Sequence, residues 1–365
     1  MKKNIISIII VAIIGIVLGA GGLYYATTEL GWFSQTVINK SEKEVTINDS
    51  GIADAVEKLY DAVVVVSAYK EDKLVSSGTG FVYKEVNKKA YILTNSHVVN
   101  GAQKVKVQFT DGNTYDVKIA GDDEYSDIAV LSIDKDKIIK KAELGSSEKA
   151  RLGDTVFTIG APLNTEYSWT VTRGILSGKN RLIEVSAVNA SAGNLVMSVL
   201  QTDAAINSGN SGGPIANSNG EVIGITNMKL ISGGVEGMGF AIPIEDAINI
   251  SNQLIDNKNI IRPVLGVGTL DVTDIEALQH QYGIKLDNSI MHGAVIGYVQ
   301  SGSPASEAGL EKGDVITNFG DYKVTSSAKL KYYLYKYKVG DKVSLSYIRG
   351  KKTETVTIDL NQKAS

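Results

Sequence analysis

The chain has 365 residues, with 37 Lys and Arg against 40 Asp and Glu for a formal net charge of -3, and it contains no cysteine. That length accommodates two folded domains beside a targeting segment. The charge balance excludes the strong positive field of a nucleic-acid binder, and the missing thiols exclude disulfides, cysteine nucleophiles and cysteine-ligated zinc; no metal and no cofactor is expected.

Lys2 and Lys3 precede an uncharged stretch from Ile5 to Ala26. At 1.5 Å per residue, about 22 residues cross a bilayer core of about 30 Å. Lysines on that side predict a cytoplasmic N-terminus, so residues 1–26 read as a membrane anchor. The alternative is a cleaved signal with Leu18-Gly19-Ala20 as its processing site. On either reading the rest of the chain lies outside the cytoplasm. Residues 27–50, polar and without a sustained period, read as a stalk.

A short helix is expected from Ile52 to Leu59, then a buried strand at Ala62-Val63-Val64-Val65-Val66. Apolar runs recur at Gly80–Tyr83, Ala90–Thr94, Val105–Phe109, Val117–Ile119, Ile128–Ile133, Thr155–Ile159, Thr170–Leu176, Val196–Gln201, Val222–Thr226 and Met238–Ile242. Many short strands separated by Gly, Asn and Asp predict a mostly β fold, a barrel or sandwich. A helix from Ile244 to Ile255 closes this region, and the polar break Asn257-Lys258-Asn259 marks a domain boundary. Beyond Arg262-Pro263, Ser303 can cap a one-turn helix with Pro304 at its first position, and Gly309 can end it in the left-handed conformation. Gly313-Asp314 turns into a strand at Val315–Asn318. A second helix is expected over Ser326–Lys336, with Leu330, Tyr333, Leu334 and Tyr337 as its packed face.

Three strings in the β-rich region supply chemistry in the order histidine, aspartate, serine: Thr94-Asn95-Ser96-His97-Val98-Val99, Ser126-Asp127-Ile128-Ala129-Val130-Leu131 and Gly209-Asn210-Ser211-Gly212-Gly213-Pro214. A serine hydroxyl is a poor nucleophile at neutral pH. It needs an imidazole to take its proton and a buried carboxylate to fix that imidazole's tautomer, roles that His97, Asp127 and Ser211 fill. Tyr91-Ile92-Leu93 and Ile128–Leu131 would hold the base and its orienter on strands. The glycines around Ser211 let the N–H groups of Gly209 and Ser211 converge on the oxygen of a tetrahedral intermediate. Alone, the serine string fits a surface turn and Asp127 a strand-end cap; three motifs in one order favour the triad. His280 and His292 lack such context and read as solvated or structural.

On these strings the chain resembles the HtrA (DegP-like) family of bacterial serine proteases, specifically the membrane-anchored members with one PDZ domain. Ser77-Gly78-Thr79-Gly80-Phe81, Val171-Thr172-Arg173-Gly174-Ile175-Leu176-Ser177, Gln201-Thr202-Asp203-Ala204-Ala205-Ile206-Asn207 and Gly239-Phe240-Ala241-Ile242-Pro243 look like its landmarks. The resemblance implies a chymotrypsin-like double β-barrel protease domain over 51–257 and a small α+β PDZ domain over 262–361. It implies an ATP-independent, homotrimeric endopeptidase acting on unfolded or misfolded secreted proteins at the bacterial cell membrane. Ile206 and Leu230 fall where the family lines its primary specificity pocket, implying cleavage after Val, Ala or Ile. Val264-Leu265-Gly266-Val267 resembles the PDZ loop that binds a peptide's C-terminal carboxylate. Ala187–Asn194 maps to no motif, and a single PDZ domain does not imply the cages of two-PDZ members. The alternative function is a holdase or scaffold with weak or latent proteolysis.

Overall fold

A computed structural model of the chain describes residues 2–29, 50–161, 168–186, 194–227, 237–257 and 260–363. Helix α1 (Lys2–Thr28) forms a unit of its own, and its Ser7–Ala26 stretch is long and apolar enough to cross a membrane. Ile8 to Tyr25 leave their apolar side chains exposed around the helix. A helix apolar on every side gains nothing from water, and lipid is the solvent that suits it.

The second unit opens with α2 (Ser50–Tyr60) and two closed barrels. The first barrel contains β1 (Val63–Lys70), β2 (Lys73–Val86), β3 (Lys89–Thr94), β4 (Lys104–Gln108), β5 (Thr114–Asp123) and β6 (Ile128–Asp134), in the order β1-β2-β3-β6-β5-β4. The second contains β7 (Thr155–Gly160), β8 (Thr170–Ser186), β9 (Asn194–Thr202), β10 (Pro214–Asn217), β11 (Val222–Thr226) and β12 (Gly239–Pro243), in the order β10-β11-β12-β9-β8-β7. Closure leaves no exposed sheet edge.

The valine run of β1 shows why the barrels pair. Successive side chains point to opposite faces, so Val64 and Val66 enter the first barrel with Val82, Ile92 and Leu131, while Val63 faces the other way. There Val63, Phe81, Leu93 and Val130 meet Phe157 and Ile159 of the second barrel, Leu59 of α2, and Ile244, Ala247 and Leu254 of α4 (Ile244–Asn257). A strand buried on both faces reads as a continuous apolar run.

Beyond α4 a third sheet holds β13 (Val267–Asp271), β14 (Ala294–Val299), β15 (Val315–Phe319), β16 (Tyr322–Lys323), β17 (Lys342–Arg349) and β18 (Lys352–Asp359), in the order β13-β14-β15-β17-β18 with β16 beside β15. Helix α5 (Pro304–Glu307) is capped by Ser303 Oγ, which accepts from Ser306 N at 3.3 Å, and Gly309 follows at φ +76°. The cap of α6 (Ser327–Leu334) is Ser326 Oγ, accepting from Lys329 N at 3.2 Å. Leu330, Tyr333 and Leu334 are buried in this domain's core, against which Tyr337 packs.

Several strands differ from the sequence expectation. β2 and β8 are far longer than Gly80–Tyr83 and Thr170–Leu176, because their added ends pair as largely exposed hairpins without a burial pattern to announce them. β10 follows Gly212-Gly213, which reads as a turn. α6 stops at Leu334 instead of Lys336. β13, β14, β17 and β18 were not anticipated. The expected stalk lies mostly outside the described residues.

One ion pair ties the third sheet's domain to the barrels. Arg262 donates to both oxygens of Asp123, at 2.6 and 2.7 Å, with the two side chains only 14% and 10% exposed. Its guanidinium also lies 4.8 Å from the Tyr125 ring centre and 5.0 Å from that of Tyr335, just after α6. Burial pushes the Asp123 carboxyl up, but hydrogen bonds and charge from Arg262, with Ser126, hold it net below the usual carboxylate range. A depressed carboxyl stabilises the fold above its unfolded titration and loses that contribution as pH falls through the folded value. Arg262→Ala should therefore cost about 3 kcal/mol at neutral pH, as expected when one partner of a buried pair is removed. Calorimetric unfolding of the parent and the variant should show the gap closing in acid, below the ordinary aspartate titration at about 3.9.

Candidate active site

The pairing Thr94↔Ala129 sets the end of β3 beside the start of β6. His97 follows β3 on the single turn α3 (Ser96–Val99), and Asp127 immediately precedes β6. Asp127 has φ +54°, a left-handed conformation that an aspartate in a tight turn tolerates better than most residues. Its carbonyl accepts from Ser96 N at 3.2 Å and Asn95 Nδ2 at 2.9 Å, which locks the turn to α3.

The carboxylate is buried, 2% exposed, and fully engaged. Oδ1 accepts from the backbone N of His97 at 2.9 Å, while Oδ2 takes the imidazole Nδ1 at 2.7 Å and Asn227 Nδ2 at 2.7 Å. A carboxylate only accepts, so Nδ1 carries the ring proton and Nε2 is left as the basic nitrogen. The imidazole itself is partly exposed.

Ser211 lies on a loop of the second barrel with φ +100° at Gly209 and +85° at Gly212. Asn210 N donates to Asn207 O, Gly213 N to Asn210 O, and Gly212 N to Thr226 O, at 2.9 to 3.0 Å. Thr226 returns a bond from its own N to Gly213 O at 2.8 Å and one from Oγ1 to Asn210 O at 2.5 Å. Two threonines of the first barrel complete the tether. Thr79 N donates to Ser211 O at 2.9 Å, Thr79 Oγ1 donates to Gly209 O at 2.7 Å, and Thr94 Oγ1 donates to Thr79 O at 2.7 Å. Gly78 lets the two barrels close: a Cβ there would lie 2.7 Å from Val98 of α3 and 2.9 Å from Ser211 O. The serine loop and the helix carrying His97 thus flank the same glycine.

Ile206 is buried at the base of this loop against Gly239 of β12. Leu230 lies outside the described residues. His280 and His292 are exposed on the third domain. Among the described residues no cluster of three or more His, Asp or Glu is placed to hold a metal ion. Asn227 was missed in the sequence, although a polar residue directly after the wholly buried β11 was the available signal.

A second site lies on the third domain. A cleft of about 750 Å³ runs between β13 and α6, lined by Val264, Leu265, Gly266 and Val267, by Leu330 and Lys331 of α6, and by Glu184 of β8. Gly266 has φ +78°. Its carbonyl accepts from Gln300 N at 2.9 Å, that of Leu265 from Ala305 N at 3.0 Å, and the Leu265 side chain belongs to the domain core.

Residues 78–225 match the family model of the trypsin-like peptidase domain, and residues 263–360 match that of the PDZ domain. Two barrels meeting at a serine loop, followed by a PDZ domain, define a serine endopeptidase. The chain is 40% identical over 332 residues to serine protease Do-like HtrB of Bacillus subtilis, covering 87% of this chain and 72% of that one. It is 34% identical over 397 residues to serine protease Do-like HtrA of Lactococcus lactis subsp. cremoris, covering 100% of this chain and 97% of the relative. The solved structure of HtrA-type protease AlgW with decapeptide aligns at a TM-score of 0.64 and 28% identity, over 84% of this chain and 97% of that one. The chain belongs to the HtrA family of serine proteases.

The tightest test of the loop is Gly212, where a Cβ would lie 2.2 Å from Thr79 O and 2.3 Å from Thr94 Oγ1. Gly212→Ala meets both this clash and a positive φ. It should destabilise the chain by more than about 1 kcal/mol and remove proteolysis, read by thermal unfolding and casein cleavage of one preparation.

Proposed function

We propose that this protein is a membrane-tethered endopeptidase that cleaves unfolded or misfolded extracytoplasmic proteins through a Ser-His-Asp acyl-enzyme. The observation that carries the reading is the 2.7 Å bond from His97 Nδ1 to Asp127 Oδ2, which leaves Nε2 as the base beside the serine loop. Nε2 takes the Ser211 Oγ proton as the oxygen attacks the scissile carbonyl carbon. The oxyanion of the tetrahedral intermediate is received by the N–H groups of Gly209 and Ser211, and the imidazolium protonates the departing amine. Water, deprotonated by the same nitrogen, then releases the acyl group. Ile206, buried at the base of the serine loop, shapes the pocket for a small or medium aliphatic residue ahead of the cut, and Leu230 is assigned to it by the family resemblance alone. Homotrimeric assembly belongs to the same reading and rests on the family alone. Lys2 and Lys3 in the first turn of α1, ahead of its apolar stretch, keep the N-terminus inside and the catalytic part outside.

The PDZ cleft receives a free peptide C-terminus in this reading. β13 is the edge strand of its sheet, so an extended peptide can add beside it and facing α6, with its carboxylate at the N–H groups of Leu265 to Val267. The cleft is joined to the active site by a short series of contacts. Tyr335 packs on Arg262, Arg262 holds Asp123, and Asp123 accepts from both N and Oγ of Ser126, the neighbour of Asp127. A peptide regulates cleavage through this route when it binds the competent arrangement more tightly than the resting one.

Ser211→Ala should lower casein cleavage by several orders of magnitude while leaving the unfolding temperature near that of the parent. Undiminished cleavage overturns the triad. Persisting suppression of substrate aggregation by a parent that never cleaves favours the holdase instead. Peptides ending in an apolar residue should bind the PDZ cleft as free acids and lose most affinity when amidated, by calorimetric titration; equal binding of both forms sinks carboxylate capture.

A further inference from the structure

We propose that Asn227 is a positioning residue of the catalytic centre, holding the Asp127 carboxylate in place from the opposite barrel. The proposal rests on the reading of His97, Asp127 and Ser211 as the triad. Asn227 is 0% exposed and directly follows β11, where its backbone N donates to Phe240 O at 3.0 Å. Its side-chain Nδ2 lies 2.7 Å from Asp127 Oδ2, the length of a charge-assisted hydrogen bond. Because the carboxylate only accepts, the amide nitrogen must face it, and the amide oxygen then points away. That oxygen is buried without a partner among the described residues. An unsatisfied buried acceptor opposes folding, and an apolar side chain of the same size would carry no such cost. The residue makes sense for the donor it supplies.

The donor does what the first barrel does not. Among the described residues, the remaining hydrogen bonds to the carboxylate come from His97, through its backbone N and its ring. Asn227 holds Oδ2 from the second barrel. Thr226, the residue before it, holds the serine loop at Asn210, Gly212 and Gly213. Two consecutive residues therefore set the register between the nucleophile's loop and the aspartate that orients the base. Other charged groups nearby are Asp122, which accepts from Ser96 Oγ at 3.0 Å, and the Asp123–Arg262 pair beyond Ser126; changing Asn227 leaves them intact.

The experiment measures casein-peptide turnover against pH for the full chain. Asn227→Leu should lower kcat about tenfold to hundredfold with KM little changed, since a misplaced orienter affects the reacting geometry more than binding. It should also move the acid limb of the pH profile to higher pH. A carboxylate relieved of one donor keeps more charge for the imidazolium, so the base is lost at a higher pH. A purely structural defect would lower the amplitude and leave the limb in place. Asn227→Asp keeps the size and shape of the native residue, and so carries the test should the leucine variant fold poorly. It sets two carboxyl groups against each other, active only where they share a proton, and should add an alkaline limb that the parent lacks. A folded leucine variant with parental kcat and acid limb, or an aspartate variant with the parental profile, overturns the proposal. Ser211→Ala separates the two readings: retained cleavage there overturns the triad and this inference with it, whereas loss there beside an unaffected Asn227→Leu overturns this inference alone.

Discussion

Burial of the Asp127 carboxylate is the constraint around which the protease is organised. A carboxylate withdrawn from water is tolerated only when donors replace the water, and here every donor depends on structure remote in sequence. The backbone N and ring of His97 reach it because β3 and β6 end side by side. The amide of Asn227 reaches it only once the second barrel has closed against the first. The aspartate has all three donors only in the assembled pair of barrels, so a partly folded chain lacks this arrangement of Asp127 and His97.

The same seam holds the Ser211 loop. Thr79 and Thr94 are buried polar side chains of the first barrel; the Thr79 hydroxyl donates to the serine loop and accepts from Ala161 N, and the Thr94 hydroxyl donates to Thr79 O, so that neither is left unpaired. Glycine at 78 and 212 lets the backbones approach within distances that a methyl group would occupy. Barrel packing, hydrogen bonding and catalytic geometry are therefore one set of contacts. The PDZ domain joins this set through Asp123, four residues before Asp127; the Asp123 carboxylate is shared between Arg262 of the PDZ side and Ser126 of the turn that carries Asp127.

Much of this was legible in the residues. The valine run of β1 announced a buried strand, the cap at Ser303 lies where side-chain chemistry places it, the second helix starts beside Ser326, and the strings around His97, Asp127 and Ser211 pointed to nucleophilic catalysis. The exposed halves of β2 and β8 were hidden because paired but exposed hairpins need no apolar alternation. Asn227 was hidden for another reason. A lone asparagine after an apolar strand says nothing about which distant group it faces.

By itself, then, the sequence determined the types of side chain that can do this chemistry, their order, and the local conformations set by sterics: an all-round apolar helix, alternating strands, capped turns and glycines at positive φ. These follow from short-range rules that act within a few residues. The tertiary structure alone decided which nitrogen of His97 is basic, which barrel supplies the third donor to Asp127, and which residue of β8 lines the cleft between β13 and α6. Each of these is a contact between segments far apart in the chain, and its energy comes from excluding water between surfaces that exist only after the barrels close.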